Sequence, residues 1–128
     1  MWSSLSRFAR VTLLAFTAAF ATSLTLSAHH GWAGYSNKEF DVTGTVTTPL
    51  SLGGAHATMK ITADGQVWNL TLAPPARTKA AGLEADTIPV GATVTAHGHR
   101  HSSAKIFEVK TERVTYNGKT YNVYPDRT

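Results

Sequence analysis

From Phe40 onward the chain repeats with period two, and that commits it to strands with one buried face. Phe40, Val42, Gly44, Val46 and Leu50 alternate with Asp41, Thr43, Thr45 and Thr47, the pattern of a half-buried β-strand. Pro49 and Gly53-Gly54 end or bend it. A second run sets Ala57, Met59, Ile61 and Ala63 against Thr58, Lys60 and Thr62. Asp64-Gly65 follows, a hairpin signal because glycine accepts the positive φ of a two-residue turn. The returning strand puts Trp68, Leu70 and Leu72 on one face, with Trp68 expected inward, and Asn69 and Thr71 on the other.

Pro74-Pro75 stops that strand, and Ala76 to Glu84 is expected to form a short helix ended near Gly82. A fourth strand after Pro89-Val90-Gly91 faces Val94, Ala96 and Gly98 one way. Thr93, Thr95, His97, His99 and His101 face the other, an exposed polar side. A fifth strand runs from Ile106 to about Thr111. The phase slips near Glu112-Arg113, which predicts a β-bulge. Val114 to Tyr116, Asn117-Gly118 and Lys119 to Tyr124 then make a second hairpin. Three strands, a short helix and two more strands is the order of a five-stranded Greek-key barrel of OB type. The fold class is therefore all-β with one short helix, a small OB-like barrel plus a C-terminal hairpin; a plain open sheet is the alternative.

The chain has 128 residues, room for one domain. Residues 1–28 read as a cleavable signal peptide: Arg7 and Arg10 precede an uncharged stretch from Val11 to Leu26, and Ser27-Ala28 supplies small residues at the cut. An uncleaved anchor is the competing reading, but the apolar run is shorter than the roughly 20 residues a spanning helix needs. The mature domain is then 29–128, periplasmic or secreted. Of 12 Lys and Arg and 8 Asp and Glu in the whole chain, cleavage removes only Arg7 and Arg10, so the mature charge is close to +2. The remaining cations are scattered rather than striped. That dispersion and export together are taken to exclude nucleic acid as a partner. With no cysteine there are no disulfides, thiolate metal sites or cysteine nucleophiles.

Histidine is the one over-represented functional type, with six in the chain. Cleavage after Ala28 would give His29 a free α-amine beside its own imidazole, and His30 adds a neighbouring nitrogen. Such a sulfur-free nitrogen set favours Cu(II), with Ni(II) and Zn(II) behind it; a frayed terminus is the bland alternative. In His97-Gly98-His99-Arg100-His101, same-face side chains lie about 6.6 Å apart, close enough for two imidazoles to converge on one ion. Three in line do not easily share one ion, so His101 is the outlier. His56, after Gly53-Gly54-Ala55, is a structural histidine or a further ligand. Trp32 and Tyr35 are expected to cover one end of the barrel. The candidate metal set is therefore His29, His30, His56, His97 and His99. No acidic pair, phosphate loop or activated serine appears, so no catalytic residue is assigned and the chain is read as a non-enzyme.

The string Ala28-His29-His30-Gly31-Trp32-Ala33 resembles the opening of a family of small exported bacterial proteins of unknown function. They begin Ala-His-His-Ser-Phe-Ala after the signal peptide and continue with a Gly-Thr-Val strand, an Asn-Pro-His-Ala segment, a Gly-x-x-x-x-Trp hairpin and a Pro-Gly-Asp-x-Val strand. Here Gly44-Thr45-Val46, Ala55-His56-Ala57, Gly65-Gln66-Val67-Trp68 and Pro89-Val90-Gly91-Ala92-Thr93-Val94 take those places. Gly54-Ala55 replaces Asn-Pro, and Gly31-Trp32 replaces Ser-Phe. The resemblance implies export, a small barrel, and that His29, His30 and His56 match the family's motif histidines. It brings no reaction.

Two functions follow. The first is a periplasmic module that binds a transition metal, copper foremost, as a monomer with no membrane contact after signal cleavage. The alternative is a metal-free OB-type module that binds a peptide, glycan or partner protein across the face of its second and third strands.

Overall fold

The computed structural model describes residues 32–127. The elements run β1 (Tyr35–Ser51), β2 (Thr58–Ala63), β3 (Gln66–Thr71), α1 (Pro75–Ala80), β4 (Thr93–His101), β5 (Glu108–Tyr116) and β6 (Lys119–Asn122). The leader assigned to residues 1–28, and His29 and His30 with it, lie outside the described residues. Among the described residues no helix is long and apolar enough to cross a membrane.

The sheet order is β3-β2-β1-β4-β5-β6, and β3 also pairs with β5, which closes β1 to β5 into a barrel. Every pairing is antiparallel except that seam, where Asn69–Thr71 runs parallel to Glu108–Lys110. This is the five-stranded OB-type barrel, with β6 folded back on β5 as the C-terminal hairpin. The 17-residue β1 can serve two neighbours because it bends: its register on β2 slips between Val46 and Thr48 and again before Ser51.

Both hairpin turns take the geometry their residues demand. Asp64 and Gly65 have φ of 49° and 75°, and Asn117 and Gly118 have 50° and 76°. Two consecutive positive φ values define a type I′ turn, whose twist matches the strands it joins. Alternation fills the interior with Val42, Val46, Met59, Ile61, Trp68, Leu70, Val94, Ala96, Val109 and Val114, all buried. Leu83 and Ile88, from the segment after α1, complete that core.

α1 stops at Ala80, earlier than Glu84, because Gly82 (φ +100°) turns the chain left-handed. Gly82 N–H donates to Lys79 O and Leu83 N–H to Thr78 O, the bond pair of a Schellman motif. The fifth strand also differs from its expected break: β5 runs continuously to Tyr116 through the bulge. His97 pairs with Arg113 and Gly98 with Thr111, leaving Glu112 as the extra residue. Opposite it, a Cβ on Gly98 would come within 2.0 Å of the Lys110 carbonyl oxygen. The bulge therefore requires a residue without a side chain on β4.

Candidate functional site

The bulge turns a stretch of β5 that carries charges into a buried one: Lys110 is 3% exposed and Glu112 2%. They face outward from the barrel, but the segments flanking it at both ends of the described chain cover them. Trp32 packs edge-on against His99 (5.7 Å between ring centres) and Tyr124 (5.2 Å). Arg127 lays its guanidinium on the Trp32 ring at 3.9 Å and donates from Nε to Glu112 Oε1 at 3.1 Å. Trp32 thus covers the outer face of β4 and β5 at the bulge, not an end of the barrel as its position in the sequence suggests.

His99 joins this cluster from β4. Its Nδ1 lies 2.8 Å from Ser36 O, and its Nε2 lies 2.9 Å from Glu112 Oε1. A carbonyl and an ionised carboxylate can only accept, so the ring donates from both nitrogens when Glu112 is ionised. Glu112 Oε1 thus faces both His99 Nε2 and Arg127 Nε, while Oε2 is buried without a partner. Two clefts, of about 310 and 480 Å³, open beside His99 and Arg127.

Lys110 ties this cluster to His56. Its Nζ lies 3.3 Å from His56 Nδ1 and sits over the rings of Trp32 (5.5 Å) and Tyr124 (5.9 Å). His56 Nδ1 also faces Leu72 O at 3.0 Å, so it carries the proton and Lys110 can only accept from it when neutral. Burial pushes the Lys110 pKa down in the same direction, against the opposing charge of Glu108. Burial likewise raises the Tyr124 hydroxyl, opposed by Arg77 and Arg127. Tyr35, donating to Glu108 Oε1 at 2.6 Å, is raised by its burial and then by that carboxylate. Trp32 and His56, which stand in two separate motifs of the sequence, therefore meet through Lys110.

His97 is not on the exposed polar side expected for it. Its side chain is 13% exposed, and that of His99 12%. The physical reason is the pairing of β1 with β4, which sets Asp41 opposite His97 and Glu39 opposite His99. His97 Nδ1 lies 2.7 Å from Asp41 Oδ1, and its buried Nε2 has no hydrogen-bond partner, with Glu39 Oε1 3.8 Å away. His101 has the opposite polarity: its Nδ1 accepts from Ser103 N–H, so Nε2 carries the proton. His56, His97 and His99 share one device, an acceptor that fixes Nδ1–H and leaves Nε2 as the free or carboxylate-facing nitrogen. That is how metal-ligating histidines are usually oriented. Among the described residues, however, no three His, Asp or Glu side chains stand together as a metal-binding group.

The second surface of interest is the outer face of β2 and β3. A cleft of about 350 Å³ is lined there by Thr48, Thr58, Lys60, Asn69, Thr71 and Glu108, with Met59 and Leu70 beneath. Trp68 points inward as expected, 7% exposed, against Phe40 and Phe107. Hydroxyl, amide and ammonium groups lining this cleft can exchange hydrogen bonds with a ligand.

No protein-family model matches the sequence, and no curated protein matches it. Solved structures do. The chain is similar to a ZRD-deleted mutant of TiaS in complex with agmatine, at 14% identity and a TM-score of 0.50 over 67% of this chain. It spans 26% of that protein's chain, so the likeness is one of fold. An apo structure of TiaS, a tRNAIle2 agmatidine synthetase, scores 0.47 at 14% identity over 62% of this chain and 18% of its own. The mitochondrial single-stranded DNA-binding protein Rim1 from S. cerevisiae scores 0.48 at 8% identity, over 62% of this chain and 92% of its own. The likeness of fold to TiaS corrects the exclusion of nucleic acid as a partner, since an OB-type barrel is compatible with one. The exclusion rested on scattered cations and on export, whereas OB-type barrels bind oligonucleotides through strands 2 and 3 and the adjoining loops.

Proposed function

We propose that this chain is an OB-type binding module that takes an extended polar ligand across β2 and β3. The observation that carries the reading is the cleft between Lys60 and Asn69, on the face that OB barrels use for oligosaccharides and oligonucleotides. Because Trp68 faces the core, recognition there runs on hydrogen bonds from Thr58, Lys60, Asn69 and Thr71 rather than on ring stacking. A glycan or a peptide backbone suits that chemistry. Titration of the isotopically labelled protein with a chito-oligosaccharide, an unstructured peptide and oligothymidylate tests it by NMR. Shifts confined to β2 and β3 are expected with one of them, together with about tenfold weaker binding (~1.4 kcal/mol) for Asn69→Ala. Silence of that face toward all three ligands overturns the reading.

A second reading is capture of Cu(II) by His29 and His30 with help from His56, His97 or His99. What supports it is the fixed Nδ1–H of all three later histidines, together with the place of Trp32, two residues after His30, against His99. Calorimetric titration of Cu(II) into protein that starts at His29 is expected to give binding that His29→Ala weakens at least tenfold. Equal affinity in the variant sinks it.

A further inference from the structure

We propose that the open end of the barrel between β1, the end of β4 and the β4–β5 loop is a binding site for an oxyanion, a phosphate or carboxylate group, read by Arg100. This inference is independent of the β2–β3 face and of the histidine cluster.

Arg100 continues the inward parity of Val94, Ala96 and Gly98, so β4 delivers a guanidinium to the end of the core. Three aromatic rings frame it: Trp68 with its centre 4.9 Å from the guanidinium carbon, Phe107 at 5.2 Å and Phe40 at 6.0 Å. Their faces offset part of the loss of hydration. They do not satisfy its N–H groups. One Nη donates to Ala104 O at 3.0 Å, and Nε is buried with no partner. Among the described residues no carboxylate stands within ion-pair distance of Arg100 or of Lys38. Arg100 is partly buried, and a partly desolvated cation without a counterion is costly, so proteins ordinarily pair such groups.

The space in front of Arg100 has the complementary chemistry. A cleft of about 370 Å³ opens there, lined by Lys38, Arg100, His101, Ser36 and Ser102 among others. Lys38 is exposed on β1, and His101 Nε2 carries a proton because its Nδ1 accepts from Ser103 N–H. Glu39 also lines the cleft, but its carboxylate lies 3.8 Å from His97 Nε2. The Arg100 guanidinium, framed by its rings, carries the planar N–H donors that suit the oxygens of a carboxylate or phosphate.

The test is an NMR titration of the labelled protein with inorganic phosphate and, separately, with acetate, each against sodium chloride at matched ionic strength. Saturable shifts at Lys38, Arg100, His101 and Ser102 are expected, and whichever arm produces them identifies the anion. Arg100→Lys keeps the charge but not the fork and is expected to weaken binding at least tenfold. Because Arg100 also packs on the core, Lys38→Ser is the second variant. It sits on the surface, leaves the fold intact and is expected to weaken binding several-fold. Shifts that chloride reproduces, or an affinity unchanged in both variants, overturn the site.

Discussion

Alanine at position 98 is expected to destabilise the domain by about 3 kcal/mol or more, the upper range for overpacking a tight interior. The added Cβ would stand 2.0 Å from the Lys110 carbonyl oxygen and 2.9 Å from its carbon. Those are backbone atoms, so no rotamer change relieves the clash. They also cannot retreat cheaply, because Lys110 pairs with His99 across the β4–β5 ladder and with Thr71 across the parallel seam. Either the bulge at Glu112 flattens or β4 lifts off β5. Urea unfolding reads the cost as a lower midpoint at unchanged slope. Gly65→Ala is the internal comparison: it meets no atom within 4 Å and carries only the strain of its φ of +75°. Equal losses in the two variants would show that the bulge does not depend on the close approach at Gly98.

The second large effect is expected at Glu112. Glu112→Ala removes the carboxylate that accepts from both His99 and Arg127. It leaves His99 with its second ring nitrogen unpartnered in a largely buried place. Breaking a buried pair by deleting one partner costs about 3–5 kcal/mol. The lower figure is the better guide here, because the Arg127 side chain is 39% exposed and partly screened. A loss near 3 kcal/mol corresponds to a fall in Tm on the order of 15 °C for a domain of this size. Glu112→Gln keeps an accepting oxygen and fills the same space, so it is expected to recover about half of that loss. Calorimetric melting of the two variants decides it, and a cost below about 1 kcal/mol for alanine would mean that the cluster does not hold the flanking segments.

Much of the barrel is legible in the sequence because its information is local. Asp64-Gly65 and Asn117-Gly118 demand positive φ, and both turns form where they stand. The alternation around Trp68 and Ile61 assigns inside and outside correctly, and the slip at Glu112-Arg113 marks the bulge. The parity of β4 also places Arg100 inward, provided the alternation is carried one step past Gly98.

What local pattern does not carry is the second layer. Parity says that Lys110, Glu112, His97 and His99 face away from the core, but not that Trp32, Tyr124 and Arg127 will lie over part of them. Nor does it say which β1 residue will stand beside each histidine. Those contacts join residues far apart in the chain, and they depend on the bend in β1 and on the register of β1 with β4. The histidines were visible as chemistry; the carboxylates that hold them, Asp41 and Glu112, were not.

The stacking of Arg127 on Trp32 has a mechanical consequence. The two flanks of the described chain are clasped to each other, and the clasp is anchored through Glu112 in the wall of the barrel. Tension entering from either flank therefore meets the Trp32–Arg127 stack, the edge contacts of Trp32 with His99 and Tyr124, and the Glu112 ion pair before it reaches the strand ladder. Whatever is attached before Trp32 or after Arg127 pulls first on the same latch.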